Sequence, residues 1–236
     1  MKILALDSSG LVASVALLEN DNLVAEFTVN NKKTHSQTLL PMLDEVVNAA
    51  GIELDVVDAI AIAAGPGSFT GLRIGAATVK GLSLALDKPV VPVPTLEGLA
   101  YNFWGSDRLI CPIMDARRNQ VYTGLYRFDE AGNLVTEMDQ IPMDVNELID
   151  LLLEKDEEVQ FTGDGIQVYG SQILSKMKHA RLAPAHLNKQ KAGSVAYAGA
   201  YRYAHEQYIN GDDFAPEYLR MSQAERERKE KGERNE

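Results

Sequence analysis

The residues best equipped for chemistry in this 236-residue chain lie in four short stretches. Asp7-Ser8-Ser9-Gly10 puts a carboxylate, two hydroxyls and a residue without Cβ into one turn. That set suits phosphate oxygens or a metal-bound water, and equally an ordinary Asx or Ser turn. Gly65-Pro66-Gly67-Ser68-Phe69-Thr70-Gly71-Leu72-Arg73-Ile74-Gly75 is glycine-rich, yet it fails three templates. A P-loop counted from Gly65 needs its second Gly where Thr70 stands, and no Lys follows. The dinucleotide fingerprint needs its third Gly at the same place, and a nucleophile elbow needs Gly where Pro66 stands. Asp115-Ala116-Arg117-Arg118 offers a second carboxylate turn, but with bulk and charge that suit a packed or partner-facing turn better than a phosphate loop. Gly163-Asp164-Gly165 is a short glycine loop carrying an acid where a nucleotide's negative charge would pass. Asp7, Ser8, Ser9, Asp115, Gly163 and Gly165 are therefore expected to be vestiges of a nucleotide site, with ATP binding by the chain alone disfavoured.

Metal and nucleophile chemistry are poorly supplied. No two of His35, His179, His186 and His205 have the i, i+4 spacing that places a ligand pair on one helical face. His35 opens a helix and reads as a capping or surface residue, with Thr34 or Ser36 offering a hydroxyl N-cap. Cys111, between Ile110 and Pro112 in an apolar run, reads as a buried, inert thiol. The expectation is no catalytic residue, no metal site and no cofactor in the isolated chain.

What does survive is a spacing of four. Gly67, Gly71 and Gly75 form one row, and Ala77, Gly81 and Ala85 another. Glycine in a helix interior costs roughly 0.8–1 kcal/mol relative to alanine, so such rows imply a compensating close contact. The contact is either the chain's own sheet or another subunit. On the second reading the candidate seam is Leu39, Leu43, Gly71, Arg73, Gly75, Ala77, Gly81 and Ala85.

The elements that must position these groups follow from periodicity. Apolar runs at Ile3–Leu6, Val12–Leu18 and Leu23–Val29, split by Ser8-Ser9-Gly10 and Asn20-Asp21-Asn22, predict an antiparallel meander. Leu39, Leu43, Val46, Val47 and Ala50 share one face of a helix over 36–50 that Gly51 ends. A buried strand at 59–64, a helix over 70–86 and a strand at 90–94 complete this half, with a boundary expected between Pro92 and Arg108. Strands at 109–115, 121–128 and 134–141, a helix over 146–153, a strand at 159–162 and a helix over 168–177 repeat the plan loosely. The predicted fold is α/β and two-lobed, built from duplicated mixed-sheet units in the manner of the actin and sugar-kinase (ASKHA) class. Residues 1–105 form the N-terminal lobe, completed by a helix over 194–209, and 106–193 the C-terminal lobe. Residues 221–236, with ten charged side chains, are expected to be a disordered tail.

Composition narrows the role. Twenty-three Lys and Arg against 34 Asp and Glu leave a formal charge of -11, which argues against gripping a phosphate backbone unaided. One Cys and no basic, apolar leader point to the cytoplasm, and no run approaches the roughly 18 apolar residues of a membrane span.

Five segments together resemble the TsaB family. They are Leu4-Ala5-Leu6-Asp7-Ser8-Ser9, His35-Ser36 with Leu39-Leu40-Pro41, the Gly65–Gly75 segment, Asp115–Arg118 before Val121-Tyr122, and Pro216-Glu217-Tyr218-Leu219-Arg220. The resemblance implies a non-catalytic paralogue and partner of TsaD, which transfers threonylcarbamoyl to N6 of adenosine 37 in tRNAs reading codons that begin with A. It also implies a TsaE-like ATPase in the same machinery, ATP and metal on those partners, and tRNA met only through the complex. TsaD-like proteins carry a His-x-x-x-His pair, whereas here Leu39 stands four residues after His35. The two N-terminal helices would form a homodimer or, in exchange, a heterodimer with TsaD. The competing reading is an enzyme, either a metal-dependent glycoprotease-like peptidase or a stand-alone ASKHA ATPase, resting on Asp7-Ser8-Ser9 and Gly163-Asp164-Gly165 alone.

Overall fold

The computed structural model describes residues 1–31 and 33–220, so the expected charged tail at 221–236 lies outside the described residues. Strands β1 (Lys2–Asp7), β2 (Ala13–Glu19) and β3 (Asn22–Val29) form the antiparallel meander, with Ala5 facing Ala16 and Leu17 facing Ala25. Helix α1 (His35–Ala50) stops at Gly51, whose φ of 65° lets its N–H reach the carbonyls of Asn48 and Val47. Strand β4 (Ala59–Gly65) pairs parallel with β1. Helix α2 (Phe69–Leu86) begins where the Ser68 hydroxyl accepts the Gly71 N–H at 3.3 Å, and strand β5 (Val90–Pro94) pairs parallel with β4. The sheet order is β3-β2-β1-β4-β5.

Helix α3 (Thr95–Ala100) occupies the expected boundary; Pro94 cannot continue the β-ladder as a donor but sits well just before a helix. The second half then repeats the first. Strands β6 (Leu109–Asp115), β7 (Gln120–Phe128) and β8 (Leu134–Asp144) are antiparallel. Helix α4 (Val145–Lys155), strand β9 (Val159–Thr162), helix α5 (Ile166–Lys176) and strand β10 (Ala180–Leu182) follow, with β9 parallel to both β6 and β10. The order β8-β7-β6-β9-β10 is that of the first sheet, element for element. Asp7, Gly65, Asp115 and Gly163 therefore lie at or just past the carboxyl ends of equivalent inner strands, where α/β sheets open a crevice.

Alternation along β1 shows why the first sheet is covered twice. Leu4 and Leu6 join α1 and α2 in one core, while Ile3 and Ala5 join helix α6 (Ala192–Ala204) in another. Gly199 of α6 lies so close to Ala61 that any Cβ would collide with it. The sequence predicts this helix to run to Ile209, but it ends at Ala204. Glu206 turns to φ 59°, and Ile209 exchanges two backbone hydrogen bonds of 2.9 Å with Val90 at the sheet edge. Tyr208 is consequently off the helix. The three-residue β10 carries too little pattern to be read from sequence.

The inter-lobe cleft and the outer helix face

The Asp7 turn is a closed hydrogen-bond unit. Asp7 Oδ1 accepts from the Ser9 N–H at 2.9 Å and the Ser9 hydroxyl at 2.6 Å, and Ser8 donates its hydroxyl to Gly71 O at 2.9 Å. All three side chains are buried. Burial pushes the Asp7 carboxyl up to about 6, against the lowering pull of the Ser9 donors and of His35. The Ser68 N–H closes the turn from outside by bonding Ser9 O at 2.6 Å. Added Cβ atoms at Gly67, Gly71 and Gly75 would overlap Ser9 O, Ser8 O and the Ser8 hydroxyl respectively. That glycine row is thus fitted against the chain's own first turn.

His35 belongs to the same unit. Thr34 occupies the N-cap position of α1 without a side-chain capping bond, correcting the expected hydroxyl cap there, and the His35 ring nitrogen Nε2 pairs with Gly10 O at 2.8 Å. His205 pairs through Nδ1 with Tyr201 O at 2.7 Å. Cys111 is buried beside the Thr123 hydroxyl at 3.4 Å, and burial lifts its thiol to about 12, which leaves it protonated and unreactive at neutral pH. Among the described residues, no three of His, Cys, Asp and Glu are grouped to hold a metal.

Across the crevice, the second lobe presents the β6–β7 turn. Arg117, Arg118 and Asn119 have φ of 62°, 55° and 60°, three consecutive residues in the left-handed region. Asp115 Oδ1 accepts the Arg117 N–H at 2.8 Å and the Tyr169 hydroxyl at 3.3 Å, and Asp164 Oδ1 accepts the Asp115 N–H at 3.1 Å. Burial raises the pKa of the Asp164 carboxyl. Gly163, at φ 98°, and Gly165 press on the Ile113 carbonyl, so no Cβ fits at either.

A segment whose role composition did not reveal spans the gap. The Glu217 N–H donates to Ala64 O at 2.7 Å, and an added Cβ at Gly65 would overlap Glu217 O. Gln140, from β8, donates to both Gly65 O at 3.1 Å and Glu217 Oε2 at 2.6 Å. The Tyr218 ring lies 4.8 Å from that of Phe69, and Arg220 donates to Ala116 O at 2.8 Å. Residues 216–220 form a strap touching both lobes. The sequence singled out this stretch only as a motif, since nothing in its pattern names its partners. Between strap and turns remains a cavity of about 740 Å³.

The predicted seam divides. Leu39 and Leu43, 1% and 5% exposed, belong to the core beneath α1, and Gly71 and Gly75 face the Ser8 turn, so these four are unavailable to a partner. Periodicity located the buried stripe of α1, and a buried stripe packs inward. Arg73, Ala77, Gly81 and Ala85 are exposed on α2, with open space above Gly81. Leu84 on α2, 79% exposed, and Leu40 on α1, 56% exposed, lie outside the core.

Two equivalent lobes around a cleft at the strand ends define the ASKHA architecture. A ROK hexokinase from Thermus thermophilus shares it over 86% of this chain and 100% of its own, with TM-score 0.50 at 14% identity, a likeness of fold alone. A Pseudomonas aeruginosa protein described as similar to peptidase YEAZ superposes with TM-score 0.79 at 28% identity over 93% of this chain and 99% of that one. The family model for TsaD, tRNA N6-adenosine threonylcarbamoyltransferase, matches residues 22–228. The tRNA threonylcarbamoyladenosine biosynthesis protein TsaB of Bacillus subtilis is 34% identical over 95% of this chain and 96% of its own length. The Escherichia coli TsaB is 38% identical over 56% of this chain and 58% of its own. The chain belongs to the TsaB family, within the wider group that the TsaD model describes.

Proposed function

We propose that this chain is a subunit of the machinery that makes threonylcarbamoyladenosine in tRNA, and that it works there as a non-catalytic partner of a TsaD-like transferase. Its relatives' names carry the first part. One observation carries the second: the hydroxyls of the first ASKHA loop are committed within the chain, Ser8 to Gly71 O and Ser9 to Asp7, while the outer surface of α2 keeps Ala77, Gly81, Leu84 and Ala85 uncovered. A loop whose hydroxyls are already committed offers no free hydroxyl to a phosphate, whereas small residues beside an exposed Leu allow a second helix to approach closely. ATP and metal belong, in this reading, to the TsaD-like and TsaE-like partners, and the cytoplasm is the compartment where tRNA is met. The same α1–α2 surface also serves a homodimer when the partner is absent.

Deleting the gene and quantifying threonylcarbamoyladenosine in digested tRNA tests the role. The modification is expected to vanish and to return only when this chain and the TsaD-like protein are both present; its persistence refutes the reading. Gly81→Leu addresses the seam, because Gly81 is exposed and a Cβ added there has nothing of the chain within 4 Å. Co-purification with the TsaD-like protein is expected to fall with unchanged circular dichroism, and full recovery of the complex excludes this face. Turnover of a substrate by the purified chain alone, abolished by one of its own substitutions, would overturn the non-catalytic assignment.

A further inference from the structure

Eight arginines fall within the described residues, and they divide by location. Four are ion-paired: Arg108 with Glu158 at 2.6 Å, Arg127 with Glu137 and Glu157, Arg181 with Glu158 at 4.0 Å, and Arg202 with Glu97 at 2.6 Å. The other four have no carboxylate partner among the described residues, and all four stand at the inter-lobe cleft. Arg117, Arg118 and Arg220 line its cavity, and the Arg73 guanidinium sits 4.0 Å over the ring of Phe69, another lining residue. In a chain with 34 acids to 23 bases, four clustered guanidiniums without a carboxylate partner among the described residues are a local exception to the overall charge. They come from three elements, α2, the β6–β7 turn and the strap, and Arg117 and Arg118 hold left-handed backbone at φ 62° and 55°. Such backbone costs roughly 1–2 kcal/mol per residue and tends to persist where it serves a site.

We propose that the mouth of this cleft is an RNA-backbone site, with Arg73, Arg117, Arg118 and Arg220 contacting phosphodiester groups of the tRNA. The inference rests on the tRNA-modification reading above and departs from the expectation that tRNA is met only through the complex. Planar guanidiniums recognise phosphate oxygens in pairs, and they serve a polyanion best when displayed outward. Arg73, Arg117 and Arg118 are exposed; Arg220 is half-buried and fixed by its 2.8 Å bond to Ala116 O. The same cavity is lined by Asp115, Asp164 and Glu217, which oppose a phosphate seated among them, and the Ser8 and Ser9 hydroxyls are already committed. An extended backbone brings several phosphates to arginines on three separate elements at once, which a single free nucleotide does not.

Fluorescence anisotropy of labelled unmodified tRNA, titrated with the full chain alone and with its TsaD-like partner, reads the site. The triple variant R73Q/R117Q/R118Q is expected to lose tenfold or more in affinity at about 50 mM salt, and to reduce the slope of log K against log salt by about 2–3. R118K is expected to keep the slope. K178Q, one charge removed just before β10 at the opposite end of the sheet, is expected to change it little. All three arginines are exposed, so folding is expected to survive, and melting curves confirm it; if the triple variant fails to fold, R118Q alone must lower the slope by about 1. Unchanged tRNA binding by the variants, no tRNA binding in either form, or saturable ATP binding to the isolated chain that displaces tRNA would each overturn the proposal. If the variants bind tRNA normally while gene deletion still abolishes the modification, the RNA site falls and the functional reading stands.

Discussion

Asp7 is the residue whose chemistry and burial conflict most. Its carboxyl, at about 6 through burial, lies above the roughly 3.9 of an unfolded chain. The native state therefore binds a proton more readily, and the sign follows: stability falls as pH rises from about 4 to about 6 and levels off above. The full penalty at neutral pH is about 3 kcal/mol. Asp7→Asn keeps an oxygen for the two Ser9 donors at 2.9 and 2.6 Å without the buried charge. Urea midpoints are expected to favour the variant by up to about 3 kcal/mol at pH 7–8, with the gap closing below pH 4. A gap independent of pH would show that the carboxylate is not the cause. Sequence placed Asp7, Ser8 and Ser9 in one turn but could not choose between a phosphate loop and a self-satisfied turn. The deciding partner, Gly71 O, lies 63 residues away and is invisible to local pattern.

At the scale of elements, most of the fold was readable because most segments carry a clear apolar pattern: the meander, α1 with its Gly51 stop, and the parallel strands β4, β5 and β9. Errors fell where local signals ran short, as at the three-residue β10, the short helix α3 just after Pro92 and Pro94, and the end of α6. The glycine rows of α2 show the same limit, since spacing gives a face but not what covers it. Structure separates them, and one substitution type tests the separation. Gly→Ala in a helix interior gains about 0.8–1 kcal/mol of propensity. At Gly81 nothing lies within 4 Å of the new methyl, so G81A is expected to stabilise by about that amount. At Gly71 the methyl overlaps the backbone carbonyl of Ser8, and the overpacking cost of about 1–3 kcal/mol outweighs the gain. Denaturant midpoints moving in opposite directions are the expected result; equal shifts would contradict the division of the helix into an inner and an outer row.

The whole molecule holds its two lobes together by more than the α3 connection. The strap at 216–220 bonds Ala64 on one side and Ala116 on the other, while Gln140 of the second lobe reaches Gly65 of the first. Pairing of Tyr218 with Phe69 adds an aromatic contact worth about 0.5–1.5 kcal/mol beyond its area. Phe214, 2% exposed, anchors the preceding turn in the first lobe's core, so removal of the strap can be separated from loss of core. A chain ending at Phe214 is compared with one ending at Arg220, which makes the strap the only difference. The shorter chain is expected to melt several degrees lower, since a loss of about 1 kcal/mol moves a protein of this size by roughly 2–4 °C. Its amide hydrogens at 64–70 and 114–118 are expected to exchange faster, because both stretches lose their cover across the cleft. Faster exchange spread evenly over both lobes would mean the segment stabilises the fold without bridging it. No change at either stretch would mean that the lobes are held apart from the strap altogether, by α3 and α6.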